Sequence, residues 1–309
     1  MEKMQLVIDT DPGVDDALAI LMAHGHADVL GLSIAAGNVG IAHTVANALK
    51  LVETIGAGTP VFAGCATPLV LPAEDAAFVH GMDGFGDTGY TPSLRRAEDE
   101  SAALAILRLS RAHAGKLVLV AIAPLTNLAL ALKLDPALPE RVTKLVIMGG
   151  AVTGRGNTQR VPAEFNIGFD PEAAHVVFSS FPQFTLVDWE ATMRHGIAFE
   201  RMRAWLEADN PRARFYASIS RKTHAWSRER GRPNVLVADA LAMAVALQPD
   251  IVTRAEERHV AIELAGTHTR GATVVDWESR LGADANARIV LGVDQARFET
   301  LVAAALGAA

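Results

Sequence analysis

The run Asp9-Thr10-Asp11-Pro12-Gly13-Val14-Asp15-Asp16 puts four carboxylates into eight residues, just after a short apolar stretch and at the start of a helical one. Acids so close repel one another unless something cationic shares the space. A helix N-terminus favours negative charge, but only by about 0.3–1 kcal/mol, too little for the whole group. A hard divalent cation answers the crowding, because Ca2+ takes about six to eight oxygen ligands from carboxylates, carbonyls, hydroxyls and water. The plainer reading is an Asp N-cap with neighbouring surface acids. Asp-x-Asp also serves phosphatases and Mg2+ sites, so a metal by itself selects no reaction.

Two later segments carry further chemistry. Asp239, in Val237-Ala238-Asp239-Ala240-Leu241-Ala242-Met243, opens an apolar helix, where a lone acid is more often an N-cap than a ligand. Pro162-Ala163-Glu164-Phe165-Asn166-Ile167 sets an acid and an amide on either side of an aromatic. That pair suits the hydroxyls of a small sugar, since a carboxylate accepts and an amide does both, and it also suits plain turn chemistry.

These residues need elements to hold them. Met4–Ile8, Val29–Ala35, Val61–Ala63, Leu117–Ile122 and Lys144–Met148 read as short strands. Val14–Ala23, Ala42–Ile55, Ser101–His113 and Leu125–Leu134 read as the helices between them. The alternation predicts an α/β fold, with an open, mostly parallel, Rossmann-like sheet covered by helices on both faces, as one domain over residues 1–309. Ligands of such sheets sit beyond the carboxyl ends of the strands. The notable polar groups fall there: Asp9–Asp16, Gly37-Asn38, Thr126-Asn127, Gly149–Gly156 and Asp188. Two stretches interrupt the pattern, the loop-like Pro68–Pro92 around His80 and the charged, helical Glu200–Arg232; both are candidate pocket walls.

Composition narrows the class. Of 309 residues, half are hydrophobic, enough for a large core. Lys and Arg number 28 against 35 Asp and Glu, a net charge of −7 with no basic run, which argues against a nucleic-acid polymer or an anionic membrane as partner. Cys65 is the single cysteine, so there is no internal disulfide framework. No signal-peptide pattern and no apolar run near the roughly 18 residues of a membrane span is present, and a cytoplasmic protein is the expectation.

Asp9-Thr10-Asp11-Pro12-Gly13-Val14-Asp15-Asp16-Ala17 closely resembles the N-terminal signature of the inosine-uridine-type nucleoside hydrolases. The resemblance continues in family order through Gly37-Asn38-Val39, His80-Gly81-Met82-Asp83-Gly84 and Ala123-Pro124-Leu125-Thr126-Asn127-Leu128-Ala129. It resumes in Met148-Gly149-Gly150-Ala151, Ala163–Ile167, Asp170-Pro171-Glu172-Ala173-Ala174 and Asp239-Ala240-Leu241-Ala242. What it implies is a Ca2+ at the bottom of a ribose pocket, held by Asp11, Asp16, Asp239 and the backbone carbonyl of Thr126. Asp11 resembles the base that activates the attacking Ca2+-bound water. Asp15, Asn38, Glu164 and Asn166 match ribose-binding positions, with Asn157 and Phe165 as further substrate contacts and His80 near the base. The reaction implied is hydrolysis of the N-glycosidic bond of a ribonucleoside to free base and ribose, by a homodimer or homotetramer.

The sequence departs from that pattern at two points. Where the inosine-uridine branch has a histidine before the last acid, and the purine branch a tryptophan, this chain has Ala238, which donates no proton. Gly156–Glu164 is one residue longer than the family spacing. Trp226, in the charged helical stretch, falls where a base-contacting side chain is expected, although a Trp there also suits core packing. Purine ribosides are therefore expected to exceed uridine. A modified-base riboside as the true substrate, and a non-catalytic ribose binder, are the competing readings.

Overall fold

A computed structural model of the chain describes residues 3–308. Its first half runs β1 (Gln5–Thr10), α1 (Val14–His26), β2 (Asp28–Ile34), α2 (Ile41–Ile55), β3 (Val61–Ala63), the single turn α3 (Ala77–His80), α4 (Ala102–Ala112), β4 (Leu117–Ala121), α5 (Thr126–Leu134), α6 (Leu138–Arg141) and β5 (Val142–Met148). Then follow α7 (Phe165–Phe169), α8 (Pro171–Ser180), β6 (Phe184–Val187), α9 (Trp189–Arg194), β7 (Ile197–Ala198), α10 (Phe199–Leu206), α11 (Pro211–Glu229), β8 (Asn234–Val235) and α12 (Ala238–Leu247). Strands β9 (Val252–Arg258), β10 (Val260–Ile262), β11 (Thr273–Val275) and β12 (Ala287–Val293) precede the last helix, α13 (Gln295–Ala305).

Leu6, Val7 and Ile8 are all buried, as the period of two requires of a strand covered on both faces. Leu6 and Ile8 face a core shared with α1 and α12; Val7 faces a second core shared with α4, α5 and α8. The strands form one eight-stranded sheet in the order β3-β2-β1-β4-β5-β6-β12-β9. Every neighbouring pair is parallel except β12 with β9 at one edge. The expected α/β architecture is therefore present. The chain leaves β1 toward β2 and β3, then returns to place β4 on the other side of β1. That reversal opens a crevice at the carboxyl end of β1, where the acidic run begins.

Helices α1 and α12 pack against each other over the same face of the sheet. The Ala-rich sequence of α12, buried from Ala238 to Ala246, permits that packing and brings both N-termini to the crevice. Residues Glu200–Arg232, expected as one helical stretch, form two helices. Asn210 caps the second, its side-chain oxygen accepting from the backbone N–H of Arg212 and of Ala213 at 3.0 Å each, with Pro211 as the first helical residue. Pro68–Pro92 is irregular apart from α3. Among the described residues no helix is long and apolar enough to cross a membrane.

Candidate active site

Strand β1 continues two residues beyond Ile8 because Asp9 and Thr10 pair with Ser33 and Ile34 of β2. This separates Asp9 from the other acids. Its Oδ1 accepts from Ser33 Oγ at 2.5 Å and from Asn127 Nδ2 at 2.9 Å. Asp16 sits in the first turn of α1 and accepts four hydrogen bonds: from Thr10 Oγ1 (2.5 Å) and Asp11 N (3.2 Å) on one oxygen, and from Gly13 N and Asn38 Nδ2 (3.0 Å each) on the other. Asp11 Oδ2 accepts from Asn38 N at 2.6 Å, whereas its buried Oδ1 has no hydrogen-bond partner. Gly37 makes this fit possible, since a Cβ there would lie 2.1 Å from Asp11 Oδ2.

Carboxylate oxygens of Asp15, Asp16 and Asp239 lie within 4.8 Å of one another. Burial pushes Asp15 and Asp16 up to about 6, and the Asp15 charge adds to the rise at Asp16. Burial, then the neighbouring acids, lifts Asp11 and Asp239 well above the usual carboxylate range. Buried acids of this kind take up protons or share a cation. An orphaned Asp11 oxygen beside three converging carboxylates fits a hard dication. Thr126 begins α5 and is buried, and its side-chain hydroxyl donates to Asp170 Oδ2 at 2.7 Å. Ile122, just past β4, lines the crevice, and its carbonyl accepts from Asn166 Nδ2 at 3.4 Å.

The opposite wall is made of acceptors. Glu164 caps α7, its carboxylate accepting from the backbone N–H of Asn166 (3.0 Å), Gly150 (3.0 Å) and Ile167 (3.2 Å). Burial nevertheless pushes it up to about 7. Asn166 Nδ2 also donates to Met148 O at 3.2 Å, and Asn38 Nδ2 to Asp11 O at 3.1 Å. With those amide hydrogens engaged, Asn38 and Asn166 present their side-chain oxygens. Asn157 differs: its Oδ1 accepts from Phe165 N at 2.8 Å, so its Nδ2 is the unengaged end.

Asp15, Asn38, Ile122, Asn157, Glu164, Asn166 and Asp239 line one cleft, open at its mouth. Its rim is aromatic, with Phe78 and Trp226 ring centroids 6.2 Å apart and Trp189 and Phe165 also lining it. His80 Nδ1 accepts from Val14 N at 3.2 Å, which places the proton of the neutral ring on Nε2. Burial pushes His80 down to about 4, and burial with Arg228 does the same to His224. Both are neutral at pH 7. Ala238 lines the cleft with a methyl group.

The inosine-uridine preferring nucleoside hydrolase family model matches residues 6–300. The chain belongs to that family. It is 36% identical over 302 residues to the non-specific ribonucleoside hydrolase of Salmonella enteritidis, covering 97% of this chain and 96% of that one. It is 35% identical over 308 residues to the inosine-uridine preferring nucleoside hydrolase of Crithidia fasciculata, covering 98% and 97%. A solved inosine-guanosine nucleoside hydrolase superposes with a TM-score of 0.92 at 33% identity, covering 98% of each chain. The chain is thus a nucleoside hydrolase, an N-glycosyl hydrolase of ribonucleosides.

In this nucleoside hydrolase the cleft gathers Asp15, Asn38, His80, Asn157, Glu164, Phe165, Asn166, Trp226 and Asp239. Asp11 and Asp16 join them from beneath through Asn38. Asp9 lies outside, turned to Ser33 and Asn127. Asp188 caps α9, accepting from Ala191 N at 2.8 Å and Val152 N at 3.0 Å, and is structural. Sequence reasoning passed over Ile122, Tyr216 and Arg232, and singled out Trp189 nowhere; no local spacing marks any of them, since each reaches the cleft through tertiary packing.

Proposed function

We propose that the chain hydrolyses purine ribonucleosides to free base and ribose with Ca2+ as cofactor. What carries this reading is the layering of the cleft: converging acids at the floor, an acceptor-rich wall above them, and an aromatic rim. A wall of acceptors calls for a ligand that brings hydroxyl donors, as a ribose does. The aromatic rim suits a flat base, and base–aromatic stacking is worth about 1–3 kcal/mol. The similar solved hydrolase is named for inosine and guanosine, both purine nucleosides.

Asp11, Asp16, Asp239 and the Thr126 backbone carbonyl are the groups that would hold the ion, with Asp15 beside them. When bound, Ca2+ neutralises the crowded acids and holds water and the sugar diol at the floor. Asp15, Asn38, Glu164 and Asn166 bind the ribose hydroxyls and fix the anomeric carbon. As the C1′–N bond breaks, its electron pair leaves with the base and positive charge grows on the sugar ring. The carboxylates of the floor lower the energy of that charge. Asp11 takes the proton of the incoming water on its unpartnered Oδ1.

The test is ribose release from inosine, uridine and 2′-deoxyinosine, before and after exhaustive chelation. Inosine is expected to exceed uridine. Loss of the 2′-hydroxyl leaves a buried partner unpaired at about 1–3 kcal/mol, so 2′-deoxyinosine should be about tenfold to a hundredfold slower. Chelation should abolish turnover and Ca2+ should restore it. Full activity without metal, or equal rates for the two inosines, would overturn the reading.

A further inference from the structure

The departing base carries away an electron pair, and the usual position for an acid holds Ala238. One cation does line the cleft. The Arg232 guanidinium lies 4.7 Å from the ring centroid of Trp226 and 5.5 Å from that of Trp189, two residues of the aromatic rim. Among the described residues no carboxylate pairs with it; its backbone N–H donates to Ser227 O at 3.1 Å. Ring faces hold a guanidinium by its charge and leave the in-plane N–H donors of the fork unengaged.

We infer that Arg232 is a catalytic residue that stabilises the leaving purine as an anion, taking over electrostatically the role that a proton donor at position 238 would fill. This rests on the purine-riboside reading above. The C1′–N9 bond breaks, the pair delocalises over the base, and the guanidinium donates hydrogen bonds to the purine edge, where N7 and the 6-oxygen are both acceptors. Arginine keeps its protons throughout. The base anion then gains a proton from solvent, and Asp11 returns to solvent the one it took from water. The sum is riboside plus water to ribose plus neutral base. Trp189 and Trp226 are positioning residues that hold the fork at the rim.

The experiment compares kcat/KM for inosine and for 4-nitrophenyl β-D-riboside, whose leaving group needs no assistance, in wild type, Arg232→Gln and Arg232→Lys, with thermal melts of each. Removing one charge-stabilising donor typically costs about 10²–10³-fold, so Arg232→Gln should lose that much on inosine and keep its rate on the nitrophenyl substrate. Arg232→Lys, which keeps the charge without the fork, should recover part of the loss. Equal losses on both substrates with an unaltered melt, or no loss on inosine, would overturn the inference. Where Arg232→Gln melts early, Arg232→Lys decides: the same split on the two substrates supports the inference and its absence overturns it. A wild type that cleaves the nitrophenyl riboside but not inosine would instead overturn the purine reading, and the inference with it.

Discussion

The floor and the rim of the cleft are built on opposite plans. At the floor nearly every donor is engaged: Asp16 accepts four hydrogen bonds, and both Asn38 amide contacts go to neighbouring acids. Asp11, Asp16 and Asp239 are buried, and glycine at 37 lets the backbone press against them. The rim is half-exposed, held by ring contacts, and carries unengaged donors on Arg232 and on the buried Trp226 Nε1. On the proposed reading, the rigid floor would fix the sugar and the attacking water, and the rim, whose donors lack partners, would set which base can leave.

The sharpest test of that division is at the floor. Asp11→Asn preserves size and removes the proposed base, so kcat should fall by about 10²–10⁴-fold whatever the nucleoside. A loss that differed strongly between inosine and uridine would blur the distinction between floor and rim. At the rim, Trp226→Ala removes one stacking face; at about 1–3 kcal/mol per stacked base, kcat/KM for inosine should drop about fivefold to a hundredfold. The nitrophenyl riboside should lose less, and an equal loss would mean that Trp226 props the floor instead of the base.

The smallest effect is on stability, and it belongs to the floor alone. Burial raises Asp15 and Asp16 to about 6 and Glu164 to about 7. For carboxyls whose pKa is higher in the folded chain, the proton-linked stabilisation is complete below the unfolded pKa near 4 and is lost as pH rises through 6 to 7. The chelated protein should therefore melt at falling temperature between pH 5 and pH 8. Ca2+ competes with those protons, so its stabilisation should grow with pH, reaching about 2.7 kcal/mol, or about 5 °C, at a hundredfold excess over Kd. A chelated melt independent of pH would show that the acids are not desolvated as described.

How the sequence led to each region follows the same division. The floor was legible because Asp11, Gly13, Asp15 and Asp16 fall within six residues on one strand-to-helix turn, where local spacing fixes geometry. The limits of that signal show at Asp9, one strand residue too early, which turned to Ser33 and Asn127. The alternating strands and helices were legible to within a few residues, since each buried strand reads as an apolar run. The break at Asn210-Pro211 carried a capping signal that the charge pattern of Glu200–Arg232 obscured. Trp189 and Arg232 follow from no periodicity: one begins α9 and the other follows α11, and only folding brings them together.

The meeting of α1 and α12 has a consequence for how the chain is made. Asp16 emerges early in synthesis, while Asp239 comes only after most of the sheet strands have been formed. Until then the early acids have no distant partner, and no cation site exists to close. The ion proposed for this site would consequently act as a seal on a finished fold rather than a seed for it, and long-range closure of this kind is slow. Chains released before residue 239 should bury the β1 acids without holding Ca2+, and in refolding from denaturant the ion should enter with the last kinetic phase, slowing unfolding while leaving the earlier folding steps at their metal-free rates.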